Sequence, residues 1–303
     1  MIIDTHIHLS HSLFDQTFPY LSFDKDEYRI ESGTREGLIE KYRKNGITAC
    51  IEPGIDIKSN GKLLELAEHY PHFIYPAVGI HPTRTYQYKT IGKDGEKTEQ
   101  KLLWHQRKEI EKYSNYPHIV AIGETGLDYH LFRKDQHRIR QKMWFVWQIR
   151  LAHKKRLPLI LHIREADTDA IRILSRYRHW LHGGICHCFS GDAETAKKYT
   201  DLGFGIGIGG TLLIKSSRET RLEQTIIQTP LEYIYLETDG PYVKPDCPNF
   251  TKKQKQKTRN TSLILPAVIS RIAELKKISE QEVIRVTTDN AKRLFEMNEM
   301  NQS

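Results

Sequence analysis

The chain has 303 residues, with 46 Lys and Arg against 38 Asp and Glu, a formal net charge of +8 and a hydrophobic share of 38%. That composition argues against wholesale disorder, and no uncharged apolar run approaches the roughly 18 residues of a membrane span. The start, Met1-Ile2-Ile3-Asp4-Thr5-His6-Ile7-His8, lacks the basic and apolar regions of a signal peptide, so the expected compartment is the cytoplasm. Four Cys, none in a CxxC pair, exclude a disulfide scaffold, whereas fifteen His ask for a reason.

Short β-branched runs alternate with longer helical patterns. In chain order the expected strands are 2–8, 47–53, 73–79, 119–124, 157–162, 184–189, 203–208 and 233–237. The expected helices between and after them cover 34–44, 58–69, 102–113, 135–155, 167–178, 193–201, 218–228 and 262–276. In the fourth helix Ile139, Met143, Trp147 and Leu151 recur every four residues and are expected on one face. Eight strands alternating with eight helices predict an α/β chain folded as a (β/α)8 TIM barrel, with an open doubly wound sheet as the other candidate. Two segments fall outside the repeat, 10–33 and 84–101, and read as loop insertions after the first and third strands of one barrel domain over residues 1–303. Short C-terminal helices follow: Ser279 and Glu282 suit a capping box before one, and a second is expected over 288–297.

Metal-capable side chains gather at the C-terminal ends of the runs: His6 and His8, His81, Glu124, His162, His187, then Glu237 and Asp239. In a barrel those ends meet at one mouth, where active sites are built. Residues two apart on a strand share a face, so His6 and His8 can aim at one point about 7 Å apart along the chain. Such a set favours Zn²⁺ or Mn²⁺ and also admits Mg²⁺. It is too large for one ion with an open position, which points to two divalent ions sharing an activated water.

Six segments in order, Asp4-Thr5-His6-Ile7-His8-Leu9, Gly79-Ile80-His81-Pro82, Gly123-Glu124-Thr125-Gly126-Leu127-Asp128, Leu161-His162-Ile163-Arg164-Glu165-Ala166, His187-Cys188-Phe189-Ser190-Gly191 and Leu236-Glu237-Thr238-Asp239-Gly240-Pro241, resemble the motif set of the TatD family of metal-dependent deoxyribonucleases, within the amidohydrolase superfamily. Thr288-Asp289-Asn290-Ala291-Lys292-Arg293-Leu294-Phe295 resembles that family's C-terminal signature. The resemblance implies that His6, His8, Glu124 and Asp239 hold one ion and Glu124, His162 and His187 the other, with Glu124 bridging. It further implies that Asp239 orients the attacking water and takes its proton. His81 either contacts a substrate phosphate or water, or shapes the Pro82 turn. Glu237 either joins the site or buttresses a ligand His, and Arg164 meets either a phosphate or a carboxylate such as Glu165. The chain departs from the family pattern in its extra length, in Ile163 where serine is usual, and in Arg259-Asn260-Thr261-Ser262 where the pattern has Arg-Asn-Pro.

The implied activity is cleavage of DNA phosphodiester bonds from a 3′ end, with single-stranded DNA or 3′ ends as substrate and neither a membrane nor an obligate protein partner expected. Ester or amide hydrolysis at the same site, as in deacylation of D-aminoacyl-tRNA, is the alternative, and a non-catalytic nucleic-acid-binding barrel is the third. Residues 244–259 carry six Lys or Arg against Asp246 alone, so Lys252 and Lys253 are candidates for tracking a phosphate backbone, with Tyr242 and Phe250 for stacking. The literal GxGxxG at Gly205–Gly210 lies inside a strand and does not open a helix, which argues against a dinucleotide site. Cys186 and Cys188 flank His187 and are expected to face the helices.

Overall fold

A computed structural model describes residues 1–85, 95–131, 134–214 and 219–297. Eight parallel strands form one sheet in the order β1 (Ile2–Asp4), β4 (Ile47–Pro53), β5 (Ile74–Val78), β6 (Ala121–Asp128), β7 (Leu159–Arg164), β8 (Gly184–Cys186), β9 (Phe204–Ile208) and β10 (Ile234–Leu236). The two edges meet: Thr5 N–H donates to Leu236 O at 2.9 Å, Asp239 N–H to His6 O at 2.9 Å and His8 N–H to Gly240 O at 2.8 Å. The sheet therefore curls into the expected barrel. Helices α1 (Arg35–Lys44), α2 (Ile57–His69), α3 (Gly95–Tyr113), α4 (Asp135–Lys155), α5 (Asp167–Arg176), α6 (Ala193–Thr200), α7 (Glu219–Gln228) and α9 (Leu265–Lys276) accompany the strands.

Strand alternation sorts the core into two layers. Ile3, Ile51, Tyr75, Ala77, Ala121, Ile160, Ile185 and Tyr235 form an inner cluster. Their neighbours Ile2, Cys50, Ile74, Val78, Ile122, Leu159, Leu161, Cys186 and Leu236 join the cluster under the helices. Cys186 thus faces the helices as expected, and His162, His187 and Glu237, each two residues beyond an inward Ile160, Ile185 or Tyr235, inherit the inward parity.

The buried face of α4 differs from the expected one. Of the expected row, Ile139 and Met143 are 59% and 55% exposed, whereas Trp147 is half-buried and Leu151 buried; the rest of the buried face is Gln141, Trp144, Phe145, Gln148, Ile149 and Ala152. A row spaced four residues apart drifts about 40° per step on a helix of 3.6 residues per turn, so it winds off the face it began on. The expected pair of tail helices is a single helix, α10 (Glu280–Leu294), capped by the Ser279 side chain on Glu282 N–H. Its end carries Phe295 and Met297 into the inner cluster, closing the floor of the barrel.

The segment 10–33 holds a hairpin where a loop is expected from sequence: β2 (Phe18–Asp24) pairs antiparallel with β3 (Glu27–Gly33). The β2 backbone also exchanges bonds with the segment after β10, Arg259 N–H to Pro19 O at 2.8 Å and Leu21 N–H to Arg259 O at 2.9 Å. That pairing folds the insertion against the barrel. Of the second segment, residues 86–94 lie outside the described residues, and α3 begins at Gly95, earlier than the pattern indicates. The basic run forms a short helix, α8 (Lys252–Lys257), capped reciprocally by Thr251 and Gln254.

Candidate metal centre

The barrel brings His6, His8, His81, Glu124, His162, His187 and Asp239 together at the mouth. His6 Nε2 lies 3.3 Å from His8 Nε2, 3.5 Å from Glu124 Oε1 and 3.7 Å from Asp239 Oδ1. His8 Nε2 lies 3.6 Å from Glu124 Oε2 and 3.5 Å from Asp239 Oδ1. Donors placed 2.0–2.1 Å from a tetrahedral ion stand about 3.4 Å apart, so these four groups have the spacing of a ligand shell. The same Oε1 that His6 meets is approached by His187 Nε2 at 2.9 Å and by His162 Nδ1 at 3.7 Å, and these two imidazoles are 3.0 Å apart. Among the described residues three groupings could hold a metal: His6–His8–Glu124, His81–Glu124–His162 and His6–His187–Glu237.

Burial alone would raise the Glu124 carboxyl, but the imidazoles of His81, His187 and His6, with the bond from His162, outweigh it and hold Glu124 well below the usual carboxylate range. Burial and the neighbouring His187 keep His6 well below the ordinary histidine value, so it is a neutral donor. His8 goes the other way: burial opposes charge, yet Asp239 and Glu124 lift it to about 9. His162 is likewise lifted to about 9 against burial, by Asp128 and Glu124. In the ion-free chain burial and Asp239 push Glu237 well above its ordinary range, whereas cations in front of it act in the opposite sense.

His81 stands at the edge of this set, its Nε2 3.9 Å from Glu124 Oε1. Its Nδ1 accepts from Thr83 N–H at 3.1 Å, which leaves Nε2 as the protonated nitrogen of the neutral ring, turned toward the site. Burial lowers its pKa to about 3. It therefore serves the turn at Pro82 and also presents a donor to the mouth.

A cavity of about 1110 Å³ adjoins this centre, and its lining includes Asp239, His162 and His187 together with Arg164, Ser190 and Arg221. The Arg164 guanidinium pairs with no carboxylate among the described residues, and Glu165, the sequence alternative, instead bonds His130 at 2.6 Å. Lys252 and Lys253 do not line the cavity. They stand exposed on α8, which Lys244 ties, through bonds to Lys255 O and Thr258 O, to the segment bearing the cavity residue Val243. Phe250 is packed against the core, while Tyr242 is exposed and its hydroxyl meets His11 Nε2 at 3.1 Å.

Several supporting residues are not singled out by sequence reasoning. Asp128 Oδ2 lies 3.2 Å from His162 Nε2, the ring nitrogen away from Glu124, a carboxylate–histidine pair that orients the ring. Its signal in the sequence is its place in the same motif, four residues after Glu124. Gln148 on α4 brackets Ile80, accepting from its N–H at 2.8 Å and donating to its O at 3.0 Å, and also reaches Thr125 Oγ1 at 2.7 Å. Gln141 brackets Asp128 in the same way. Two glutamines seven residues apart on the inward helix face are the available signal. Glu52 accepts from Leu9 N–H at 2.7 Å and Ser10 N–H at 2.8 Å, fixing the turn after His8. Asp4 accepts from Thr238 Oγ1 at 2.6 Å and Ser262 Oγ at 2.7 Å, tying the start of the first motif to the last.

The family model described as TatD related DNase matches residues 3–296. The chain belongs to the TatD family of metal-dependent hydrolases. It is 32% identical over 298 residues to the Uncharacterized metal-dependent hydrolase YabD of Bacillus subtilis, covering 98% of this chain and 100% of that one. It is 29% identical over 274 residues to the 3'-5' ssDNA/RNA exonuclease TatD of a Rahnella species, covering 90% of this chain and 93% of that relative. Among solved structures it is similar to YjjV, a TatD homolog from Escherichia coli K12, with a TM-score of 0.77 at 25% identity over 97% of this chain and 98% of that one. Within this TatD protein no helix of the described residues is long and apolar enough to cross a membrane.

Proposed function

We propose that this TatD protein is a two-metal phosphodiesterase that trims single-stranded DNA from its 3′ end. The observation that carries the reading is Glu124: one buried carboxylate lies within 3.7 Å of four imidazoles, His8 on Oε2 and His6, His162 and His187 on Oε1, more donors than one ion with an open position needs. In this reading His6, His8, Glu124 and Asp239 hold one divalent ion, Glu124, His162 and His187 the other, and Zn²⁺, Mn²⁺ and Mg²⁺ are the candidates. Bound there, a pair of divalent ions supplies Lewis-acid polarisation and an acidified water. Asp239, 16% exposed and facing the cavity, takes the proton of the attacking water and orients it. Asp128 holds the His162 ring so that Nδ1 faces Glu124. His81 donates from Nε2 to a phosphate oxygen, and Arg164 neutralises a phosphate in the cavity. Lys252 and Lys253 meet strand that extends past it. The name of the Rahnella relative, a 3'-5' ssDNA/RNA exonuclease, supports a nucleic-acid substrate.

The test is a product-resolved assay on single-stranded DNA, the matching RNA and a D-aminoacyl-tRNA, with metal analysis of the same preparation. Metal-dependent release of mononucleotides from DNA, lost with EDTA, is the expected result. Intact DNA in Mg²⁺, Mn²⁺ and Zn²⁺ sinks the proposal. Turnover of the aminoacyl ester alone reassigns the bond and keeps the site.

A further inference from the structure

Behind the imidazoles of His6 and His187 stands a third acid with no role in the proposed hydrolysis. Glu237 follows β10 at the inward parity of Tyr235 and is 1% exposed. Its Oε1 accepts from Cys188 N–H at 2.5 Å. Its Oε2 has no hydrogen-bond partner, and neither do His6 Nδ1 and His187 Nδ1, the nitrogens opposite those that meet Glu124. One ligating atom each of Glu237, His6 and His187 lies within 4.8 Å of the other two. The two imidazoles are stacked, with centroids 3.9 Å and planes 10° apart, so a single oxygen can face both. Room for it comes from Gly207 on β9, where an added Cβ would collide with Glu237 Oε2. Three buried polar atoms without partners on three neighbouring side chains are costly unless they serve one another.

We infer that Glu237 is a positioning residue whose Oε2 holds His6 and His187 as Nδ1–H tautomers, keeping an Nε2 lone pair of each aimed toward Glu124, one from either ion position. The inference rests on the two-ion reading of those histidines. It sets Glu237 apart from Asp128, which bonds the ring of one ligand histidine, His162, and the Leu131 N–H. A carboxylate can accept from Cys188 with one oxygen and from the imidazoles with the other. Glutamine in its place keeps the Cys188 bond but turns an NH₂ donor on the rings, which favours the tautomer that cannot ligate through Nε2.

Ion-depleted wild type, Glu237→Gln and Asp128→Asn are titrated calorimetrically with Mn²⁺, and the melting temperature of each ion-free chain is recorded. Glu237→Gln is expected to weaken both binding steps about 10- to 100-fold, and Asp128→Asn one step only. Gly207→Ala, which displaces the carboxylate without changing it, is expected to weaken both steps as well. Ion affinities in Glu237→Gln within twofold of wild type overturn the inference, including the case where only its ion-free melting temperature falls, which marks a purely structural tie to Cys188. Wild type that takes up no ion overturns the two-ion reading and the inference together, whereas wild-type binding with an unaffected Glu237→Gln overturns the inference alone.

Discussion

The two ends of the barrel are built on opposite terms. At the mouth the inward side chains are imidazoles and carboxylates, buried yet spaced 3.3–3.7 Å apart with protons in dispute. At the floor Phe295 and Met297 join Ile3, Tyr75 and Ile185 in one cluster of buried hydrophobic residues. The same strand alternation supplies both ends, since Ile160 and His162 are two steps on one face of β7. What differs is which residue type the inward position carries. The floor is a finished core, whereas the mouth concentrates like groups at an energetic cost that an ion can offset.

The sharpest division between the ends concerns Asp239. Asp239→Asn is expected to cut DNA hydrolysis by about 10²–10⁴-fold through loss of the general base, with the fold retained. Nucleotide release and a thermal melt on the same sample check both halves, and an active variant removes Asp239 from the proposed role. Phe295→Ala is the mirror experiment. It is expected to cost about 3–5 kcal/mol in urea unfolding, with ion affinity unchanged, because it opens a cavity at the floor.

Changing pH acts on the mouth with a sign that depends on the ion. His8 and His162 sit at about 9 in the ion-free chain, above the ordinary 6.5, so folding takes up protons there. Their contribution to ion-free stability is fully present below 6.5 and lost as pH rises through about 9. An ion needs the neutral imidazoles, so its affinity is expected to rise from pH 6 to pH 9 with release of protons. Melts in EDTA and in Mn²⁺ across that range should diverge in slope, and parallel curves break the account.

Smaller effects come from the supports. Gln148→Leu leaves the Ile80 N–H and O without their partner, at about 1–3 kcal/mol each in the buried setting, and is expected to lower the melting temperature and disturb the adjacent His81. The smallest change is expected from Lys252→Ala with Lys253→Ala. Binding of a long single strand should weaken a few-fold, and its salt slope should fall by about 0.7 for each phosphate no longer neutralised by a lysine. An unchanged slope excludes α8 from the substrate path.

Most of the strand and helix count is legible in the sequence because alternation and helical periodicity are local. Residues His6, His8, Glu124, His162, His187 and Asp239 are legible for a related reason, since strand ends at one barrel mouth meet by topology and the motifs fall at those ends. The α4 face is not, because a strict four-residue row spirals off its own side, and only packing shows that two glutamines occupy the inward face. The β2–β3 pairing is local, but its docking on the barrel is hidden because the segment it meets, around Arg259, lies more than 200 residues away in the chain.

By itself, then, the sequence determined the alternating elements, the family resemblance and the set of metal-capable residues, all of which follow from spacing along the chain. Tertiary structure alone decided that Asp128 backs His162, that Glu237 is grouped with two imidazoles at once, that Arg164 and Arg221 line one cavity with Asp239, and that Lys252 and Lys253 stand outside it. Those relations depend on where residues far apart in sequence converge, and on which atom of each side chain is left without a partner once they do.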